Sequence, residues 1–220
     1  MYYVLTAIDL YSGAGGAGLG LEQAGINVIL AVDSWDQACK SYKVNHPNTE
    51  VICADLTEFD SFPHTDIIWG SPPCPDFSNA NRSHANPQRG LRFVNRFLEI
   101  VYNLKPKFWV MENVPPLHNY LLGLRCMELN GANFGVPQIR KRVFFGKFPQ
   151  PIQTHSKDGG YTIEGGKLLP WVGAGEALEL DCLLARIGHT KANMKAGRYT
   201  PLTEPSQTVE SGPNFTHLTS

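Results

Sequence analysis

The sequence predicts an α/β fold: a Rossmann-like, doubly wound, mostly parallel sheet with helices on both faces, followed by a short irregular C-terminal extension. Three observations predict it. Short apolar runs alternate with helix-like stretches over the first two thirds of the chain. The runs are continuously apolar, as strands buried on both faces must be. A Gly-rich turn and a series of acids stand at the ends of these runs, where the carboxyl edge of such a sheet would lie.

Each element follows in order. Residues 4–9 read as the first strand, and residues 16–24 as a helix stopped by Gly25. Residues 28–33 are a second strand. A helix over 36–45 ends at His46-Pro47, because a residue before proline avoids the helical conformation. Residues 51–55 and 66–70 read as buried strands. Val94, Phe97, Leu98, Val101 and Leu104 share one helical face, which predicts a helix over 91–104. Residues 107–112 form another strand, and 125–128 and 142–147 two more. From about residue 149 Pro, Gly and Thr crowd in and periodicity fades. A domain over 1–148 and a separate region over 149–220 are therefore expected.

Composition narrows the function classes. With 42% hydrophobic and 18% charged residues the chain can bury a core, which excludes a disordered polymer. A net charge of −1 neither demands nor excludes a nucleic-acid partner, since a local basic cluster is enough. No apolar run is long enough to cross a bilayer, and the start lacks the basic segment and cleavage site of a secretory leader. Cys39, Cys53, Cys74, Cys126 and Cys182 form no C-x-x-C pair, which argues against a disulfide framework and a zinc site and for a reducing, intracellular setting. The histidines show no ligand spacing and read as ordinary surface or core residues, so no metal is expected.

Four segments carry chemistry. The first is Asp9-Leu-Tyr-Ser-Gly13-Ala-Gly15-Gly16-Ala-Gly18, between the first strand and its helix. Glycines there let the backbone turn sharply and approach a ligand. Asp33 ends the second strand, where an acid accepts from ribose hydroxyls, and Asp55 ends the third, where it could accept from an adenine amino group. The plain alternative is a turn with no ligand. The pattern is not a clean G-x-G-x-x-G, and Asp9 disfavours a pyrophosphate. A cofactor with a positive amino-acid end suits the site better, and S-adenosylmethionine is such a cofactor.

The second is Gly70-Ser-Pro-Pro-Cys74-Pro-Asp-Phe-Ser78, after the fourth strand. Two prolines stiffen the backbone before a thiol, which suits a presented nucleophile better than an inert buried cysteine. Glu112-Asn113-Val114 puts an acid at a strand end, able to protonate a ring nitrogen or only to close a turn. In Gln138-Ile-Arg140-Lys-Arg142, alternation on an extended segment places both arginines on one face. They could clamp a carbonyl oxygen and a phosphate, or form a solvated basic patch.

Together these segments resemble the cytosine-C5 DNA methyltransferase family. The matching residues are Asp9-Leu-Tyr-Ser-Gly-Ala-Gly-Gly16, Pro72-Pro-Cys74-x-x-Phe77-Ser78, Glu112-Asn-Val114 and Gln138-x-Arg140-x-Arg142, in the family's order. The resemblance implies a class I methyltransferase fold, S-adenosylmethionine as cofactor and a cytosine flipped out of double-stranded DNA. It implies that Cys74 adds to C6, that Glu112 protonates N3, and that Arg142 holds O2 with Arg140 beside it. C5 then takes the methyl group, and loss of its proton expels Cys74. By the same resemblance Asp9, Tyr11, Ser12, Gly13, Gly15, Gly16, Leu56 and Pro72 surround the cofactor, Asp33 binds its ribose and Asp55 its adenine. Residues 78–92 would be a loop that closes over the base.

Three departures shape the expectations. Pro75 stands where the family most often has Gln. The stretch from Glu112 to Asn130 is short, so one covering helix should be lost and a sheet face left exposed. Residues 171–178 and 202–209 resemble stretches that frame target recognition, while the family's last motifs do not follow before Ser220. A second polypeptide carrying those motifs, a decayed copy, and a minimal enzyme each fit this pattern. The competing functions are a non-catalytic cofactor- or DNA-associated remnant and a tRNA cytosine-C5 methyltransferase.

Overall fold

The structure, a computed structural model, describes residues 3–74, 76–77, 86–179, 184–186, 198–200 and 204–207. Ala7, Ile8 and Leu10 are fully buried on β1 (Thr6–Leu10), the central strand. The Gly-rich turn leads into α1 (Gly16–Gln23) and then β2 (Asn27–Asp33). Next come α2 (Asp36–Asn45), β3 (Glu50–Cys53) and β4 (Ile67–Gly70). A long helix, α3 (Pro87–Leu104), precedes β5 (Phe108–Asn113). β6 (Cys126–Asn130), β7 (Gln138–Ile139) and β8 (Lys141–Lys147) follow.

Seven of these strands form one sheet in the order β3-β2-β1-β4-β5-β8-β6. β1 pairs in parallel with β2 and β4, β2 with β3, and β4 with β5, while β8 runs antiparallel to β5. The strand order reverses between β1 and β4. Ligands of such sheets bind at that reversal, outside the carboxyl ends. Register puts the relevant ends level: Leu10 lies opposite Gly70, and Gly70 opposite Met111. The Gly-rich turn, the Cys74 segment and Glu112 therefore leave the sheet at one edge.

α3 holds much of the core. Its Val94, Phe97 and Ile100 pack with Ile8, Leu10, Ile68, Met111 and Phe145 of the sheet. It starts four residues before the expected position. Asn86 accepts the Arg89 N–H at 3.3 Å as a cap, and Pro87 fills the first turn, where its missing N–H costs nothing. Residues 87–92, expected in a loop, are therefore helical. The rest of that loop, residues 78–85, lies outside the described residues, as does Pro75.

Other expectations need correction. β3 stops at Cys53, so Asp55 sits in the following loop and not at the strand end. Glu112 lies within β5, because antiparallel pairing with β8 extends that strand to Asn113. The connection from β5 to β6 holds no α-helix, as its length required. A 3-10 helix at Pro115–Tyr120 fills the gap instead and buries Leu117 completely in the main core, so the cover is shortened but present.

The chain divides into two compact units, one of residues 1–128 with 142–149 and one of 129–141 with 150–220. Residues 129–141 group with the C-terminal part, where an unbroken first domain over 1–148 was the expectation. Long-range bonds decide it: the Thr154 N–H donates to the Asn133 carbonyl at 3.1 Å, and the Trp171 indole N–H donates to Asn133 Oδ1 at 3.0 Å. Nor is the second unit simply irregular. β9 (His155–Ser156), β10 (Asp158–Tyr161) and β11 (Lys167–Pro170) form a three-stranded sheet. Strands of two to four residues are too short to show a period, and Thr162 closes their turn through bonds with Gly165 and Gly166. α4 (Ala174–Ala177), β12 (Leu184–Arg186), β13 (Arg198–Thr200) and β14 (Ser206–Gln207) complete this unit, with β14 beside β7. No helix among the described residues is long and apolar enough to cross a membrane.

Candidate active site

The Gly-rich turn is held from several directions. The Ser12 N–H donates to the Val32 carbonyl, and the Gly13 N–H to Asp33 Oδ2 at 2.8 Å. Asp33 Oδ1 accepts from the Trp35 N–H, also at 2.8 Å. Asp33 thus braces the turn against β2 and keeps further lone pairs for a ligand hydroxyl. Tyr11 takes a φ of 53°, a conformation that costs a non-glycine residue energy and clusters at functional sites. Its hydroxyl donates to the Phe93 carbonyl of α3, and burial pushes its pKa up. Gly15 has φ 100°, and a Cβ there would lie 2.4 Å from His46 Nε2. Only glycine lets the turn rest on that ring.

Below the turn lies a buried polar chain that the sequence reading missed. His46 is 2% exposed and bonds through Nδ1 to Glu22 Oε2 at 2.9 Å. Its ring packs 4.3 Å from that of Tyr42, whose hydroxyl donates to Asp9 Oδ2 at 3.2 Å. Nothing local in the sequence pairs His46 with Glu22, so spacing alone leaves it an ordinary surface or core histidine.

Asp9 is 1% exposed, and burial pushes its pKa up to about 8. A carboxyl raised from 3.8 favours folding while it is neutral; that advantage is complete below the unfolded value and is lost as pH rises through about 8. Asp9→Asn cannot ionise. Its melting temperature should therefore gain on the parent's steadily from pH 4.5 to 8 and hold that gain above. Parallel melting curves across this range would refute the neutral Asp9.

Asp9 Oδ1 and Ser12 Oγ are buried with no hydrogen-bond partner. Such orphans are costly unless a ligand satisfies them. A Cβ at Gly13 or Gly16 would meet nothing within 4 Å, so open space adjoins the turn. A carboxyl, a hydroxyl and free backbone around open space fit the polar amino-acid end of a nucleoside cofactor, whose ammonium group would draw Asp9 toward its ionised form. Asp55 stands nearby in electrostatic reach of Tyr11. Thr57 donates its N–H and hydroxyl to Asp55 Oδ1, and these bonds hold the acid below the usual carboxylate range. Leu56, by contrast, buries its side chain in the core and gives its carbonyl to Arg96. Only its backbone remains for a ligand. Trp35, two residues after the strand-end Asp33 and 67% exposed, is a further ring beside the candidate site; a tryptophan close behind a strand-end acid is the signal that marks it in the sequence.

The Cys74 segment is anchored as firmly. The Ser71 N–H donates to the Leu10 carbonyl, which ties the segment to β1. Pro72 is buried, and its carbonyl accepts from Asn113 Nδ2 at 2.9 Å. Asn113 is 1% exposed, and its Oδ1 accepts the Val114 N–H. The residue after Glu112 therefore grips the residue two before Cys74. The Phe77 N–H closes a turn on the Cys74 carbonyl at 3.1 Å, and Cys74 itself is half-buried.

Glu112 Oε1 accepts from Arg142 Nε at 2.9 Å, with the side chains 20% and 17% exposed. Antiparallel pairing of β5 with β8 makes this contact, because it sets Glu112 opposite Phe144 and Asn113 opposite Val143. Arg140 behaves differently. It falls between β7 and β8, so the expected single extended segment is broken there. Arg140 is exposed, its backbone N–H donates to Asn130 Oδ1, and it belongs to the second unit.

Comparisons with known proteins identify the family. The family model of C-5 cytosine-specific DNA methylases matches residues 5–158. The type II methyltransferase M1.HphI of Haemophilus parahaemolyticus is 35% identical over 72% of the chain and 52% of its own length. M.DdeI of Desulfomicrobium norvegicum is 36% identical over 64% of the chain and 40% of its own length. M.AquIA of Picosynechococcus is 33% identical over 74% of the chain and 82% of its own length. The chain thus spans about half the length or less of the first two relatives. A crystal structure of a prophage-encoded E. coli protein, described as a DNA modification methyltransferase, superposes with a TM-score of 0.60 over 85% of this chain and 61% of that one. It is 24% identical and speaks for the fold.

Proposed function

The chain belongs to the C-5 cytosine-specific DNA methylase family, and from that membership we propose that it methylates C5 of cytosine in duplex DNA through a covalent adduct on Cys74. One observation carries the reading: Asn113 ties the Cys74 segment to the strand that holds the Glu112–Arg142 pair. Nucleophile, acid and cation are then fixed by one hydrogen-bonded unit.

S-adenosylmethionine, when bound, supplies a methyl group activated as a sulfonium. The orphaned Asp9 Oδ1 and Ser12 Oγ, the Gly13–Gly16 backbone, Asp33, Asp55 and Trp35 are the groups that would hold it. The work of this chain is to make a poor nucleophile attack. Cytosine C5 is nearly unreactive in an aromatic ring. Addition of the Cys74 thiolate to C6 makes the ring enamine-like and places electron density on C5. Glu112 hydrogen-bonds N3 and delivers a proton there as negative charge builds. Arg142 orients Glu112 and adds its charge at the base carbonyl O2. After methylation a water molecule takes the C5 proton, N3 returns its proton to Glu112, the Cys74 sulfur leaves C6, and aromaticity returns.

In the second unit, residues 171–178 and 204–207 belong to the stretches we assign to target recognition. Of 202–209, residues 202–203 and 208–209 lie outside the described residues. We further propose a second polypeptide with recognition elements as a partner of this chain. Transfer of labelled methyl groups is the test, run with the chain alone and with the product of any adjoining reading frame. Duplex DNA of random sequence and unmodified tRNA serve as rival acceptors. Label on duplex DNA supports the proposal. Label confined to tRNA moves the substrate to RNA, and no label in any arm leaves a non-catalytic chain.

A further inference from the structure

We propose that Asp76 and Arg89 form a clamp that positions Cys74, making both positioning residues for the reaction. The inference rests on the reading of Cys74 as the nucleophile.

The Cys74 segment needs restraint on both sides of the thiol. Upstream it has two anchors, the Ser71 N–H on the Leu10 carbonyl and Asn113 on the Pro72 carbonyl. Downstream the chain turns on the Cys74–Phe77 bond, and a turn alone is a weak hold. Asp76 supplies the missing anchor. Its side chain is 6% exposed, and Arg89 grips it with both arms of the guanidinium: Nε to Oδ2 at 2.9 Å and Nη2 to Oδ1 at 2.5 Å. The Asn86 N–H donates to Oδ1 as well. The Arg89 bond holds the Asp76 carboxyl below the usual carboxylate range. A forked, two-point bond fixes direction as well as distance, which one ammonium could not do.

α3 is shaped to receive this turn. A Cβ at Gly90 would lie 2.6 Å from the Phe77 ring and 3.1 Å from Asp76 Cβ. The helix therefore carries no side chain where the turn lies against it. Arg89 is 59% exposed, so its fork bridges a buried acid to a solvated helix end. The same helix receives the Tyr11 hydroxyl, so α3 braces both loops of the candidate site. An acid this buried two residues from the thiol has no use in the chemistry proposed above. Its bonds point only to the geometry of the turn.

The test uses the whole chain and four forms: parent, R89Q, R89K and D76N/R89Q. Cys74 reactivity is read by iodoacetamide labelling and peptide mass spectrometry. Adduct formation is read on random-sequence duplex containing 5-fluorocytosine, with S-adenosylmethionine present. Binding of S-adenosylhomocysteine and the melting temperature are measured alongside. R89Q strands the Asp76 carboxylate and frees the turn. It should slow adduct formation about tenfold or more and speed Cys74 labelling about threefold or more. Binding of S-adenosylhomocysteine should stay within about twofold, because the Gly-rich turn, Asp33 and Asp55 lie on other loops and Pro72 keeps its own anchor on Asn113. R89K, charged but not forked, should fall between. D76N/R89Q, a neutral pair of similar shape, should regain most of the loss; if R89Q does not fold, R89K takes its place in the same comparison. Labelling within about twofold of the parent in R89Q overturns the clamp. So does an adduct rate that falls only in step with cofactor binding. If the parent itself forms no adduct, the functional reading fails, and the clamp is judged on labelling alone.

Discussion

Replacing Cys74 by serine should abolish methyl transfer, with a loss of about four orders of magnitude or more. A serine hydroxyl stays protonated at neutral pH and, unlike a thiol, has almost no anion to add to C6. Among the described residues of the segment no other side chain carries a thiol. The half-buried Cys74 side chain contributes little packing, so the melting temperature should hardly move. The direct measurement is a mass shift on 5-fluorocytosine duplex. The parent should become covalently linked and C74S should not. An adduct formed by C74S would place the nucleophile elsewhere.

Glu112→Gln should lose about two to three orders of magnitude in kcat, the usual worth of a positioned proton donor. The amide can still accept from Arg142 Nε, so the pair's geometry and most of the stability should survive. What goes is the proton and the charge it answers. KM for the cofactor should stay near the parent's, since the cofactor groups lie on other loops. Glu112→Ala is the harsher variant. It leaves a guanidinium that is 17% exposed without its carboxylate, and should cost about 1–3 kcal/mol of stability besides the rate. If E112Q retains full kcat, protonation at N3 is not this residue's task, and the pair is structural.

Much of this was legible before any coordinates. The strands of the first unit were readable because continuous apolar runs demand burial on both faces, and α2 was found at its observed bounds. The start of α3 was written in Asn86-Pro87, a cap followed by a first-turn proline, although its polar first turn resembles a loop. The sheet of β9, β10 and β11 was not readable, because strands of two to four residues carry no period. Nor was the grouping of residues 129–141 with the second unit, which depends on bonds to Thr154 and Trp171 far along the chain.

The candidate site divides the same way. By itself the sequence determined the family, the nucleophile candidate, the acid and the order of loops along the sheet edge. These reside in residue type and spacing, and spacing survives without coordinates. Only tertiary structure decided what each residue leans on. It separated Arg142, paired with Glu112, from Arg140, which falls outside the strands. It showed Asp33 bracing the Gly-rich turn, Asn113 gripping Pro72, and Asp76 held in the Arg89 fork. The reason is physical. A hydrogen bond needs its atoms within about 3 Å and aligned, and packing α3 and β8 against β5 sets those positions. No pattern local to either partner encodes them.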